Sequence, residues 1–212
     1  MQNGTGGYRQ AFNRIMTESL HAKVKPRVLL HCCCAPCSSS VLELLSPVFN
    51  LTAFFYNPNI FPEEEYQRRR EEFRKLFAQV GYADDICFIE GDYTPKLFYT
   101  VAKGYEQLKE GQERCLRCFA LRLQMTAITA KRMDYDYFGS TLTVSPHKDA
   151  DSINEIGQMI GEQVGISWLP GDFKKNNGFI RSIELSREYG LYRQSYCGCE
   201  YSFTERFGNG DD

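Results

Sequence analysis

Seven of the nine cysteines in this 212-residue chain fall into three groups: Cys33-Cys34-x-x-Cys37, Cys115-x-x-Cys118 and Cys197-x-Cys199. Cys32 and Cys87 are left over. Thiolates bind soft metals and iron–sulfur clusters. A protein core uses free cysteine as a small apolar residue, and it has no need of Cys33, Cys34 and Cys37 together at one chain reversal. Seven thiolates exceed the four taken by one tetrahedral zinc and the four of one cubane cluster. Two arrangements use them well. One is a four-iron cluster plus a separate metal held by three remaining thiols. The other is a cluster beside a redox-active thiol pair. Cys197-Gly198-Cys199 suits the pair, because a disulfide across i and i+2 closes a small, strained, easily reduced ring.

The elements that must position these thiols follow from the apolar pattern. Val28 to Leu30 is a short apolar run and reads as a buried strand; Ser38-Ser-Ser40 before Val41-Leu42 and Leu44-Leu45 reads as a helix start, so the first thiols sit on a strand-to-helix turn. Leu51 to Tyr56 is a second strand, and Asn57-Pro-Asn59 a turn. Pro62 and Glu63-Glu-Glu65 open a helix whose apolar face is Tyr66, Phe73, Leu76, Phe77 and Val80; the Arg68-Arg-Arg70 run on it reads as a solvated face. Ile86 to Ile89 is a third strand, with Cys87 an inert core thiol, and Thr94-Pro95 caps a short helix. Leu116, Phe119, Ala120, Leu123, Ala127 and Ala130 carry helical spacing, which places Cys115 and Cys118 on one face of a first turn. There both thiolates gain from the positive end of the helix. Tyr135 to Phe138 is a fourth strand, and Ile166 to Leu169 a fifth. Between them, Ile153, Ile156, Ile160 and Val164 mark a helix. Ile180 to Tyr189 is the last helix, and Cys197-Gly-Cys199 follows in a segment free to move toward a ligand.

Strands alternate with helices throughout. The expected fold is α/β, with a mainly parallel Rossmann-like sheet flanked by helices and a metal site at the carboxyl ends of the strands. An N-terminal arm over 1–23 precedes a single domain over 24–212. Net charge is −2, so no global basic field advertises nucleic acid, although a local patch suffices for RNA. There is no apolar run of about 18 residues to span a membrane and no secretory apolar core near Met1. A cytoplasmic location follows, where thiols stay reduced. An odd cysteine count with three adjacent thiols argues against a disulfide scaffold.

The chain resembles the epoxyqueuosine reductases of the cobalamin-independent type, the QueH family. The residues that carry the likeness are His31-Cys-Cys-Cys-Ala-Pro-Cys37, Asn57-Pro-Asn-Ile60, Tyr66-x-x-Arg69, and Cys115-x-x-Cys118 with Phe119, Leu121, Arg122 and Leu123. They continue with Ser140-Thr-Leu142, Ser145-Pro146-x-Lys148, Leu191-Tyr-Arg-Gln194 and Tyr196-Cys-Gly-Cys199. The resemblance implies reductive removal of the epoxide oxygen from epoxyqueuosine at the tRNA wobble position, the last step of queuosine biosynthesis. It implies a 4Fe-4S cluster on Cys33, Cys34, Cys115 and Cys118. Cys197 and Cys199 match the family's redox pair and are the catalytic candidates. Cys37, with Cys197 and Cys199, suits one additional iron ion. The division of Cys33, Cys34, Cys37, Cys197 and Cys199 between cluster, second metal and disulfide stays open. The implied partners are a tRNA with a GUN anticodon and an electron donor of unstated identity, with no DNA and no membrane.

Opening an epoxide needs an acid on oxygen and two electrons. His31 and His147 are candidate proton donors, though each reads more readily as a structural histidine. Lys148, Lys174, Lys175, Arg181, Arg187 and Arg193 can hold an RNA backbone, and Tyr56, Tyr192 and Tyr196 can stack an unpaired base. Ordinary surface charge and core packing compete with each. Lys148, Arg193 and Tyr192 are the substrate-binding candidates. Two other functions compete. A structural zinc site in an RNA-binding module would leave thiols unused. An ATP-dependent tRNA thiolation enzyme would need a glycine-rich phosphate loop after the first strand, where this chain has Cys34-Ala-Pro-Cys-Ser38.

Overall fold

The computed structural model describes residues 5–81 and 86–208. Its centre is β1 (Arg27–His31), whose Val28, Leu29, Leu30 and His31 are all buried. A strand buried on both faces reads as an unbroken apolar run rather than an alternating one. β1 pairs in parallel with β2 (Asn50–Phe55) on one side and β4 (Tyr137–Ser140) on the other. β2 pairs with β3 (Cys87–Glu90), and β4 with β5 (Ser167–Trp168), also in parallel. The sheet order is β3-β2-β1-β4-β5.

Successive side chains on a strand point to opposite faces, and the helices divide accordingly. Val28 and Leu30 share a core with α2 (Ala35–Leu45) and α3 (Glu63–Gln79). Leu29 packs with α5 (Glu113–Arg132) and α6 (Ala150–Val164). α1 (Thr5–Leu20) lies on the first face, with Ile15 buried and Phe12 edge-on to Phe173 at 5.7 Å. α4 (Pro95–Ala102) packs beside α5, and α7 (Gly178–Glu188) packs against α2. The chain runs from β1 outward to β3, then returns to β4 on β1's other side. The crevice outside the carboxyl ends of β1 and β4 is therefore the switch point, where open α/β sheets bind ligands.

Several local expectations shift. β4 begins at Tyr137, two residues later than expected; ahead of it Asp136 ties to Arg27 through both its N–H, which donates to Arg27 O at 3.0 Å, and its Oδ2, which accepts from Arg27 N at 2.8 Å. Cys87 is exposed on the edge strand β3 rather than in the core. α7 is not the last helix. α8 (Glu200–Phe207) follows, held by Tyr196, Phe203 and Phe207 packing together. Among the described residues no helix is long and apolar enough to cross a membrane.

Candidate metal centre

The first thiol group sits where β1 turns into α2. Cys34 is the extended N-cap residue of α2, with proline in its first turn, where the missing N–H is no loss. The chain geometry brings the sulfurs of Cys33, Cys34 and Cys37 within 4.8 Å of one another, with Cys33 and Cys34 Sγ 3.8 Å apart. Cys32 points the other way, buried against Leu30 O at 3.3 Å, and burial pushes its pKa up. It is a core residue. From beyond β4, Thr141 Oγ1 lies 3.7 Å from Cys33 Sγ, and from the last loop Gln194 Nε2 donates to Cys34 Sγ at 3.0 Å.

The second group lies on the first turns of α5, both thiols buried, with Gly111 N donating to Cys115 Sγ at 3.2 Å. The third precedes and caps α8, where Cys199 Sγ accepts from Ser202 N at 3.4 Å. The groups converge. Cys33 packs against the apolar cluster that holds Cys115, and Cys118 and Cys199 share another with Phe98 and Ala102. A cleft of about 610 Å³ opens over them, with Cys33, Cys37 and Cys197 in its wall.

Charge is the telling feature. Hydrogen bonds from the Cys34 and Cys37 thiols hold Cys33 well below the ordinary thiol range. The same bonding to Cys33 pushes Cys34 up to about 11 and Cys37 well above its usual value. Burial pushes Cys115 up to about 11 and Cys118 up to about 12. Three cations surround these sulfurs: Arg69, Arg122 and Lys148. Burial works against the Lys148 ammonium, but Cys197, Cys33 and Cys37 outweigh it and raise its pKa. Buried charge is tolerated when opposite charge meets it. Carboxylates do not supply enough of it here, since Arg69 meets Glu65 but none of the described ion pairs includes Arg122. Ionised thiolates would, and a metal deprotonates the thiols that bind it. The donor set fits a thiolate-bound metal group.

Arg69 holds the third group in place. It is only 2% exposed, so the solvated reading of the charge run fails at Arg69, while Arg68 beside it is exposed. Its Nε meets Glu65 at 2.7 Å, while Nη1 and Nη2 donate to Cys197 O at 3.0 Å and Tyr196 O at 3.4 Å. Gly198 O accepts from Phe61 N at 2.7 Å. Gly198 has φ +129, and a Cβ there would lie 2.8 Å from Arg69 Nη1. The Cys197–Cys199 segment is thus pinned to α3, contrary to the expectation of a free loop.

Other expected site residues scatter. His31 is fully buried between Ser140 Oγ at 2.9 Å and Tyr56 O at 3.1 Å, and burial with Arg122 nearby pushes it down to about 3. It is a neutral structural histidine. His147, Lys148, Arg193 and Tyr196 line the cleft. Tyr192 instead lies on α3, its hydroxyl 3.3 Å from Glu65 and its ring under Arg68 at 3.4 Å. Tyr56 is buried, stacked on Phe54. Lys174 and Lys175 pair with Asp172, and Arg181 with Glu43. Arg187 is exposed on α7. Arg122, Asn57 and Gln194 are in the cleft wall without having been singled out as functional. Spacing carried a signal for one of them: Arg122 is four residues after Cys118 on the same helix, hence on its face.

A family model described as Epoxyqueuosine reductase QueH matches residues 28–205. Epoxyqueuosine reductase QueH of Streptococcus pyogenes serotype M1 is 44% identical over 183 residues, 84% of this chain and 71% of that one. Its namesake from Staphylococcus epidermidis is 40% identical over 207 residues, 95% of this chain and 87% of that one. That of Thermotoga maritima is 37% identical over 185 residues, 84% and 91%. Among solved structures, the U34-tRNA thiolase NcsA from Methanococcus maripaludis, described with its [4Fe-4S] cluster, is similar at TM-score 0.51 and 13% identity, covering 93% of this chain and 69% of that one. This last likeness concerns the α/β fold alone. The family match spans nearly the whole described chain and takes in every thiol of the three groups: the chain belongs to the epoxyqueuosine reductase QueH family.

Proposed function

We propose that this protein, an oxidoreductase of the cytoplasm, reduces epoxyqueuosine at the wobble position of GUN-anticodon tRNA to queuosine. The observation that carries the reading is a cleft at the β1/β4 switch point with Cys33, Cys37 and Cys197 in its wall, beside the clustered sulfurs of Cys33, Cys34 and Cys37. The balance is epoxide plus two electrons and two protons giving alkene and water, the electrons coming from an external donor. Cys33, Cys34, Cys115 and Cys118 hold a 4Fe-4S cluster in this reading. Cys37, Cys197 and Cys199 hold a further iron, or Cys197 and Cys199 act as a dithiol. Once bound, such centres supply single electrons and, at an open iron, Lewis acidity toward oxygen.

The chain's own groups do the rest. The cleft takes the extruded nucleoside and separates it from bulk water. Lys148, whose Nζ cation is in the cleft wall, is suited to hydrogen-bond the epoxide oxygen and stabilise the negative charge that develops on it as the C–O bond opens, while both protons of the balance come from water. Arg193, exposed at the rim and braced by Ser182 O at 3.2 Å, suits a phosphate. Tyr196, rather than Tyr192, has its ring at the cleft and suits stacking on the base.

The test is anaerobic purification with iron and sulfide analysis, followed by incubation with epoxyqueuosine tRNA, a chemical reductant and nucleoside mass spectrometry. The expected content is about four to five irons and about four sulfides per chain, with queuosine formed. One observation favours a second reading, a structural zinc in an RNA-binding module. A tetrahedral metal with bonds of about 2.3 Å to sulfur has edges of about 3.8 Å, and Cys33 and Cys34 show that separation. Colourless protein with stoichiometric zinc, no sulfide and no reduction would decide for zinc.

A further inference from the structure

We infer that Arg122 is the counter-charge of the thiolate centre and sets how readily that centre accepts an electron, an inference that rests on the iron–sulfur reading above. Arg122 is 2% exposed and projects from α5, the helix that carries Cys115 and Cys118. Its Nη2 donates to Asn57 Oδ1 at 2.6 Å, its Nε to His31 Nε2 at 3.3 Å, and Nη1 stands 4.0 Å from Cys118 Sγ. The side chains it meets are an amide, an imidazole and a thiol. The imidazole is neutral; its Nε2 either donates to Tyr56 O at 3.1 Å or accepts from Arg122 Nε at 3.3 Å, and in neither tautomer does it bring negative charge to Arg122.

The other buried guanidiniums are treated differently. Arg69 has Glu65 at 2.7 Å, and Arg114 has Glu205 at 3.5 Å. Among the described residues, Arg122 is in no ion pair with a carboxylate. A buried cation held only by neutral dipoles is costly unless negative charge stands nearby. The group within reach that becomes negative when a metal binds is sulfur: Cys118 Sγ, 4.0 Å from Nη1 on the same helix. Each electron added to a thiolate-bound cluster makes it more negative, and net charge together with hydrogen bonds to sulfur sets the potential of such a centre. A fixed cation with no carboxylate to neutralise it therefore favours the reduced form. Arg122 also lies in the cleft wall, so a substrate contact must be separated from this role.

The separating experiment is a redox titration of anaerobically reconstituted protein without tRNA. Arg122→Gln removes the charge. Asn57→Asp keeps Arg122 and sets a carboxylate where the amide oxygen now lies, 2.6 Å from Nη2. Arg122→Lys keeps charge and loses the fork. Gln and Asp should each make one-electron reduction at least tenfold less favourable, 59 mV for one electron. Lys should change it less than threefold. Loss of iron in the Gln variant but not in the Lys variant supports the same role. Gln and Asp variants with full iron and sulfide and a wild-type potential would overturn it. So would loss of iron in all three with thermal melts unchanged, because shape rather than charge would then matter. Wild-type protein with zinc and no sulfide removes the iron–sulfur reading itself, and this inference with it.

Discussion

His31 shows how a residue beside reactive thiols can be structural. Its ring bridges β1 to Ser140 on β4 and to Tyr56 O, and it is held neutral. A histidine whose folded pKa lies below its unfolded value contributes stability above the unfolded pKa and loses it as pH falls toward the folded one. The window here runs from about 6.5 in the unfolded chain down to about 3. Urea titrations of the metal-free protein between pH 7.5 and 5 should show a loss approaching ~1.4 kcal/mol per pH unit below 6.5 from this group. His31→Asn should be less stable at pH 7.5 yet flatter with pH; an equally steep wild-type and variant profile would assign the acid lability elsewhere. The thiols divide in the same way. Cys115→Ala and Cys118→Ala should lose iron and activity together, whereas Cys87→Ala, exposed on the far edge of the sheet, should keep both; bleaching by Cys87→Ala would contradict this. The metal candidates were readable from residue type and spacing. Of the cations between them, Lys148 was a candidate and Arg122 shares a helix face with Cys118, but Arg69 looks like any surface arginine until its helix face is known. Arg69 could have been caught: Tyr66, Arg69, Phe73 and Leu76 fall on one buried stripe of α3.

The strands were legible from short apolar and aromatic runs and the long helices from their spacing, whereas α8, a short element, was missed. α8 has eight residues and begins at a cysteine, a poor signal beside the usual Ser, Asp or Asn cap. Its cap gives a clean test. Serine caps a helix well, so Cys199→Ser should keep α8 and the melting temperature. In the proposed ligand division it should also keep most of the cluster absorbance while abolishing epoxide reduction, since a hydroxyl replaces neither a metal-binding thiolate nor half of a disulfide. A Cys199→Ser enzyme reducing at the wild-type rate would remove Cys199 from the chemistry. A second test concerns how α6 meets the sheet. Gly157 lets the helix lie on Trp168, and a Cβ there would stand 2.4 Å from the indole. Gly157→Ala should destabilise the fold by ~1–3 kcal/mol through overpacking, read as a lower urea midpoint with iron content per folded chain unchanged.

At the scale of the molecule, the chain carries a net charge of −2, so attraction to a polyanion has to come from a local patch, which the proposed function puts at the cleft. Arg193→Ala should weaken tRNA binding at low salt and flatten the plot of log affinity against log salt by ~0.7–0.9 per lost phosphate contact. An unchanged slope would place the RNA on another face. Lys148 and Arg193 were candidates from the sequence, but their joining with Ser145 and Arg206 along one cleft was not legible, because these residues come from separate parts of the chain and no periodicity links them.

The strand order carries one more consequence. β1 cannot complete its pairing until β4 arrives, and the thiols begin at Cys33 and end at Cys199. At about 5–20 residues per second of synthesis, roughly ten to thirty seconds separate the first thiols leaving the ribosome from the last. During that interval Cys33, Cys34 and Cys37, joined midway by Cys115 and Cys118, form a half-built chelator, open to oxidation and to capture of whatever soft metal is at hand. Under the proposed ligand division, loading must wait for release of a nearly complete chain, so delivery of the right metal is a problem for the cell's maturation machinery rather than for the nascent protein.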